Sequence, residues 1–326
     1  MNLTNQTLDS IAQSILAAGI SGPAAIEGGR LAEAWIREVA EFDLRFPTLA
    51  VEAPFFIILE KYTVVVGVMD RIALAGTGPF GQEHKTTKGT TRNWNEDKWL
   101  AQIGVGPQIS VYGLGLHEGR FVLTPDDVRR FALADHSEVM GNPSWNFFLC
   151  QPCVDAPRIL VRAITKESPP VIWPTAKKHE IFEIDRERLA QVKEALCLKA
   201  DVIRAARARG KAPWELTGIQ CQDRFHWGGF CEFYEDGCSK RNYPETAPPR
   251  EPRPGSALEA AQTLLRVPLT DPRVVVLSAT SYSDATDCLE KYRRIMLEGR
   301  SEDGDSALEI GKAFHAGVSS FYRSQQ

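Results

Sequence analysis

The chain has 326 residues, is 43% hydrophobic and 25% charged, and carries a formal net charge of −4. That length supplies one large domain or two small ones with ample core, and the acidic balance excludes a surface covered in basic charge, leaving at most a local basic cleft. No apolar run reaches about 18 residues and MNLTNQTLDS lacks the pattern of a leader, so neither membrane insertion nor secretion is expected, and the cytoplasm is.

Apolar residues at helical spacing predict helices over 5–19 (Leu8, Ile11, Ile15) and 28–42 (Leu31, Trp35, Val39). Residues 49–61 predict a strand, where Glu52 reads first as a surface charge and second as a metal-side carboxylate. The next stretch, VVVGVMDRIALAGTGPFGQEHKTTK over 64–88, predicts a hairpin turning at AGTGPFG. Alternation along its second strand turns Glu83 and Lys85 to one face and His84 to the other. A register that sets Asp70 beside Glu83 gathers two carboxylates and one ammonium. Carboxylates that close repel each other and invite a hard cation such as Mg²⁺ or Mn²⁺. A lysine beside such an ion orients a water, the equipment for phosphodiester hydrolysis. The ordinary alternative is a solvated hairpin.

Past the hairpin, TTKGTTRNW carries Lys88 and Arg92, and a single helix is expected over 96–116, with Lys98 near its start. Gln108 and Tyr112 lie four apart and share one helix face, either as a polar edge or aimed at a phosphate or at Lys85. A strand over 119–123 follows, then a helix capped at Thr124 with Pro125 in its first turn. Cys150 and Cys153 form a lone CxxC, which reads as two thiols rather than half of a zinc site. Short strands are expected at 159–164 and 180–184, then a long helix over 185–209 that ends in Arg204, Arg207, Arg209 and Lys211. Those cations suit a helix C-terminus, with phosphate contact as the second reading.

Cys221, Cys231 and Cys238 follow, interleaved with Phe225, Trp227, Phe230, Phe233 and Tyr234. They resemble three corners of a tetrahedral site that takes a fourth thiolate from elsewhere, for an iron–sulfur cluster or for zinc. Residues 244–273 have the proline-rich composition of a linker, with a short helix at 255–266. Beyond it come a strand-like VVVL, a helix signalled by Ser281 and Asp284 that carries Cys288, and a last helix over 304–322 with His315.

GVMD ending at Asp70, Glu83-His84-Lys85, QISVY with Gln108 and Tyr112, the cysteine triplet, LSATSYSDATDCLEKYRR with Cys288, and GKAFH with His315 together resemble the PD-(D/E)xK nucleases of the RecB type. Within that group the set is similar to phage-type exonucleases and to CRISPR-associated RecB-like exonucleases with a four-cysteine iron–sulfur cluster. The family places the first cysteine and the GxxxH histidine ahead of the core, whereas here they come last. Read cyclically the order is preserved, so the resemblance implies a circular permutant with neighbouring termini. The alternative is that 274–326 opens a second copy in a longer polyprotein.

The resemblance implies an α/β fold with a restriction-endonuclease-like core, a central mixed sheet flanked by helices, plus a helical cysteine-bearing subdomain. It implies a nuclease core over 1–243, a linker over 244–273, and a segment over 274–326 that completes the same domain. By similarity Asp70, Glu83, the His84 carbonyl and His315 bind Mg²⁺ or Mn²⁺, and Lys85, Gln108 and Tyr112 complete the catalytic set. Lys88, Arg92 and Lys98 hold DNA phosphates. Cys221, Cys231, Cys238 and Cys288 hold a structural 4Fe-4S cluster, with zinc as the alternative. The expected activity is a DNA exonuclease, working with a recombination or replication partner in a bacterial or phage-infected cell. The alternatives are a catalytically retired DNA-binding adaptor and a zinc-stabilised interaction protein.

Overall fold

The structure, a computed structural model, describes residues 4–87, 89–91, 94–133, 138–141, 147–175, 181–209, 225–226, 229–230, 252, 255–279 and 306–326. The chain divides into two units. Met1–Phe55, Val68–Arg186 and Gly304–Gln326 make the first, Phe56–Gly67 and Glu187–Asp303 the second.

Strands β1 (Thr48–Leu59), β2 (Thr63–Ala75), β3 (Gly78–Thr87), β4 (Arg120–Leu123), β5 (Glu138–Gly141), β6 (Phe148–Gln151), β7 (Arg158–Thr165) and β8 (Ile172–Trp173) form one sheet. Their order is β5-β6-β4-β1-β2-β3-β7-β8, and β9 (Ile181–Glu183) also pairs with β7. β3 runs parallel to β7 and antiparallel to β2, so the sheet is mixed. The β2–β3 turn falls at the predicted glycines, with Gly78 at φ +112°, a backbone region that L side chains avoid. The class is α/β, a central mixed sheet flanked by helices, as the sequence predicts.

Helices α1 (Asn5–Ala17) and α2 (Gly22–Asp43) open the chain. α2 begins earlier than its apolar stripe suggests because Pro23 presets the first turn. The single helix expected over 96–116 is two, α3 (Glu96–Val105) and α4 (Pro107–Glu118). The ring of Pro107 excludes the helical conformation for the residue before it, and Gly106 sits at φ −66°, ψ 150°. α5 (Pro125–Leu133) is capped by Thr124, whose hydroxyl accepts from Asp127 N at 3.2 Å. α4 reaches the sheet closely because Gly115 faces the Phe55 ring, where a Cβ would sit 2.7 Å away.

In the second unit α6 (Arg186–Arg209) ends on backbone. Arg204 Nε donates to Arg273 O at 2.8 Å and an Arg207 terminal nitrogen to Val274 O at 2.6 Å. These two guanidiniums therefore have structural partners in place of the phosphates considered for them. β10 (Phe225–His226) and β11 (Gly229–Phe230) form a short antiparallel ladder, and α7 (Ala257–Leu265) is capped by Ser256. β12 (Val275–Leu277) lies parallel to Thr63–Val65 of β2. Cys221, Cys231, Cys238, Cys288, Lys88, Arg92 and Lys211 lie outside the described residues. Among the described residues no helix is long and apolar enough to cross a membrane.

The last helix, α8 (Ser306–Ser324), belongs to the first unit and packs on α1 and α2 through Trp35, Ile36, Phe314, Val318 and Phe321. Small residues set the approach. A Cβ at Gly28 would collide with Ala313 and lie 2.9 Å from Phe314 N. Gly28→Val is therefore expected to cost about 1–3 kcal/mol in urea unfolding. An unchanged midpoint would mean that α8 is not held this tightly.

Candidate active site

Pairing between β2 and β3 ends at Arg71 opposite Gln82, one residue short of Asp70 and Glu83. From there β3 continues along β7, and a fork opens whose tips carry the two carboxylates. The His84 N–H, turned away from β7, donates to Asp70 Oδ2 at 2.6 Å. In a strand a residue's carbonyl leaves on the same side as its N–H, so the His84 carbonyl also faces the fork.

The predicted alternation holds. Lys85 forms an ion pair with Glu83 Oε1, while the His84 ring lies on the other face, stacked on Tyr322 at 5.7 Å and edge-on to Trp35 at 5.0 Å. Gln108 Nε2 donates to Tyr112 Oη and to Glu83 Oε1, each at 2.9 Å. Their shared face was legible, but the contact runs to Glu83 rather than to the Lys85 ammonium. α8 brings His315, with Nδ1 3.5 Å from Asp70 Oδ1. Lys98 stands exposed on the first turn of α3.

Of the two sequence readings of Glu52, a surface charge first and a metal-side carboxylate second, the structure favours the second. The Glu52 backbone is left-handed (φ 51°), which interrupts the extended run of β1 at this residue, where Val51 and Glu52 are both half-buried. The Glu52 side chain joins the fork: Glu52, Asp70 and His315 offer ligand atoms that all lie within 4.8 Å of one another. Ser319, one turn beyond His315, donates its hydroxyl to Glu52 Oε1 at 2.6 Å.

Burial dominates the electrostatics. It pushes Asp70 up to about 7, against the opposing pull of Lys85. It pushes Glu83 up to about 8, with the Asp70 charge adding to the rise. Burial alone would lower Lys85, but Glu83 and Asp70 outweigh it and keep the ammonium charged. Burial also lowers His315, which leaves a neutral imidazole at pH 7.

A carboxylate whose folded pKa is raised stabilises the fold below its unfolded pKa and loses that contribution as pH climbs through the folded value. The buried histidines act oppositely, but only below about pH 6.5, the range in which the unfolded imidazole titrates. Metal-free protein is therefore expected to lose on the order of 1–3 kcal/mol between about pH 6.5 and 8. A divalent cation should reverse the loss, read as melting temperature in EDTA against Mn²⁺. A flat EDTA profile would contradict the burial of these carboxylates.

Beneath the fork lies a network absent from the sequence reading. Asp43, fully buried, accepts from Arg162, from Tyr322 Oη and, at 3.4 Å, from Gln82. Arg71 donates to Gln82 Oε1 at 2.7 Å and to the Phe46 carbonyl at 2.7 Å, with its guanidinium 4.5 Å from the Tyr322 ring centre. Burial, with Asp43 alongside, drives the Tyr322 phenol far upward, so it stays protonated and donates. Gln82 and His84 are thereby gripped on one face of β3, which aims Glu83 and Lys85 from the other. A cavity of about 720 Å³, lined by Thr77, Pro79, Cys153, Arg158 and Glu183, lies at the turn end of the hairpin, away from these groups.

Compared with known proteins, the chain matches no family model, no curated protein and no solved structure.

Proposed function

We propose that the chain is a metal-dependent DNA nuclease, working as an exonuclease on a restriction-endonuclease-like core. The observation that carries this reading is the meeting of Asp70, Glu83, Lys85, Gln108, Tyr112 and His315 at one forked strand pair.

The donor set fits a hard divalent cation. The buried Glu83 Oε2 is without a partner among the described residues, Asp70 Oδ1 lies 3.5 Å from His315 Nδ1, the His84 carbonyl faces the same gap, and the His315 imidazole is neutral. Three oxygens and one imidazole suit Mg²⁺, with the nitrogen shifting preference towards Mn²⁺. Such an ion, when bound, polarises the scissile phosphate and stabilises charge on the leaving oxygen.

The remaining roles fall to the chain. Lys85, kept charged by Glu83 and Asp70, donates from Nζ to the oxygen of the attacking water and steadies the negative charge that grows there as the water's proton leaves to solvent. Gln108, braced by Tyr112, holds Glu83 Oε1 and so fixes the direction of Oε2. Lys88, Arg92 and Lys98 hold DNA phosphates without reading sequence. Cys221, Cys231, Cys238 and Cys288 offer four soft thiolates for a structural 4Fe-4S cluster, or for zinc, which metal and sulfide analysis separates. The motif order is then a circular permutation, consistent with α8 lying on α1 with Ser10 and Ser320 hydroxyls 3.1 Å apart. A cytoplasmic role beside a recombination or replication protein belongs to the same reading.

End-labelled linear DNA, single- and double-stranded, tests it. Degradation with Mg²⁺ or Mn²⁺ that stops in EDTA is expected, with a product ladder running from the ends. Retained DNA binding without hydrolysis in either ion would replace the nuclease with a DNA-binding adaptor.

A further inference from the structure

We infer that Glu52 is a direct ligand of the cation at the fork and that Ser319 is the residue that positions it. The inference rests on the nuclease reading only in taking a cation to bind there.

One pattern unites the carboxylates. Each has one oxygen tied down by a hydrogen bond from the protein. Asp70 gives Oδ2 to the His84 N–H, Glu83 gives Oε1 to Lys85 and Gln108, and Glu52 gives Oε1 to Ser319. Anchoring one oxygen fixes the aim of its twin, as outer-shell bonds do for metal-ligating carboxylates. The spacing suits a shared ion. Donors about 2.1–2.5 Å from one cation lie at most about 4–5 Å apart, and the Glu52, Asp70 and His315 atoms fall within 4.8 Å.

A second observation points to the same ligand. Glu83 is 2% exposed and its Oε2 has no hydrogen-bond partner among the described residues. A buried carboxylate oxygen left bare costs free energy unless something positive reaches it. Lys85 is already engaged by the other oxygen of the same group. Glu52, Asp70 and Glu83 set against the Lys85 ammonium leave two negative charges, which one divalent ion cancels. Without Glu52 the site would be over-neutralised and the left-handed turn in β1 would have no evident use.

A Mn²⁺ titration of the full chain without DNA, followed by the EPR signal of the free ion, tests the assignment. E52Q keeps the size of the side chain and an acceptor for Ser319 while removing the charge. It is expected to weaken Mn²⁺ binding about 10–100-fold, and S319A about 10-fold. Melting temperatures in EDTA should stay close to the parent's, which separates aim from folding. If E52Q does not fold, S319A carries the test, and unchanged affinity there overturns the proposal. E52Q within twofold of the parent while D70N has lost binding overturns the Glu52 assignment and leaves the nuclease reading standing. A parent chain that does not take up Mn²⁺ overturns both.

Discussion

Asp70→Asn is expected to abolish Mn²⁺ binding and to lower DNA cleavage by at least about 10³-fold, equivalent to about 4 kcal/mol of lost transition-state stabilisation. Asp70 stands where the strand pair opens, and its Oδ1 faces His315 while Oδ2 is held by the His84 N–H. An asparagine keeps the latter bond through its carbonyl oxygen, so the loss is one of charge and not of shape. The substitution also removes a buried ionisable carboxyl whose proton affinity burial raises to about 7. Metal-free variant should therefore be no less stable than the parent at pH 8, an opposition of activity and stability typical of functional sites. Cleavage within tenfold of the parent would remove Asp70 from the site.

The second large effect is on folding. Asp43→Ala leaves Arg162 buried at 1% exposure with its carboxylate gone, and strips the acceptor from Tyr322. Breaking a buried pair by removing one partner costs about 3–5 kcal/mol, because the surviving charge is stranded. Tyr322→Phe, which removes one hydroxyl and keeps the ring stacked on His84, should cost only about 1–2 kcal/mol. Urea unfolding of both variants reads the difference. A loss under about 1 kcal/mol for Asp43→Ala would mean that water or rearrangement replaces the missing carboxylate. Because the network grips Gln82 and His84, folded Asp43→Ala should also lose activity.

The parts of the site legible in the sequence are those whose geometry is local. A two-strand hairpin with a glycine turn fixes its own register, so Asp70, Glu83 and Lys85 follow from alternation. Gln108 and Tyr112 follow from the four-residue repeat of a helix, although Pro107 breaks that helix where a single one was expected. Glu52 ranked first as a surface charge and only second as a metal-side carboxylate because its left-handed backbone interrupts β1 at Glu52 itself, and its anchor, Ser319, is 267 residues away. Asp43, Arg162 and Tyr322 left no local signal, since their contacts span separations of 119 and 279 residues. Strands such as β5, β6 and β8 have too few residues for periodicity to develop. His315 was visible only through the resemblance of GKAFH to a nuclease motif, and α8 delivers it to the fork.

Hydrolysis at the fork, as proposed, depends on Lys85 acting on the attacking water. The most direct test is single-turnover cleavage of end-labelled DNA in Mn²⁺ by the parent and by Lys85→Ala, with Mn²⁺ binding measured on both. Cleavage by the parent, a loss of about 10²–10⁴-fold in the variant, and retained Mn²⁺ binding in both are expected. Equal cleavage by the two proteins, or none by a parent that holds Mn²⁺, would contradict the proposal.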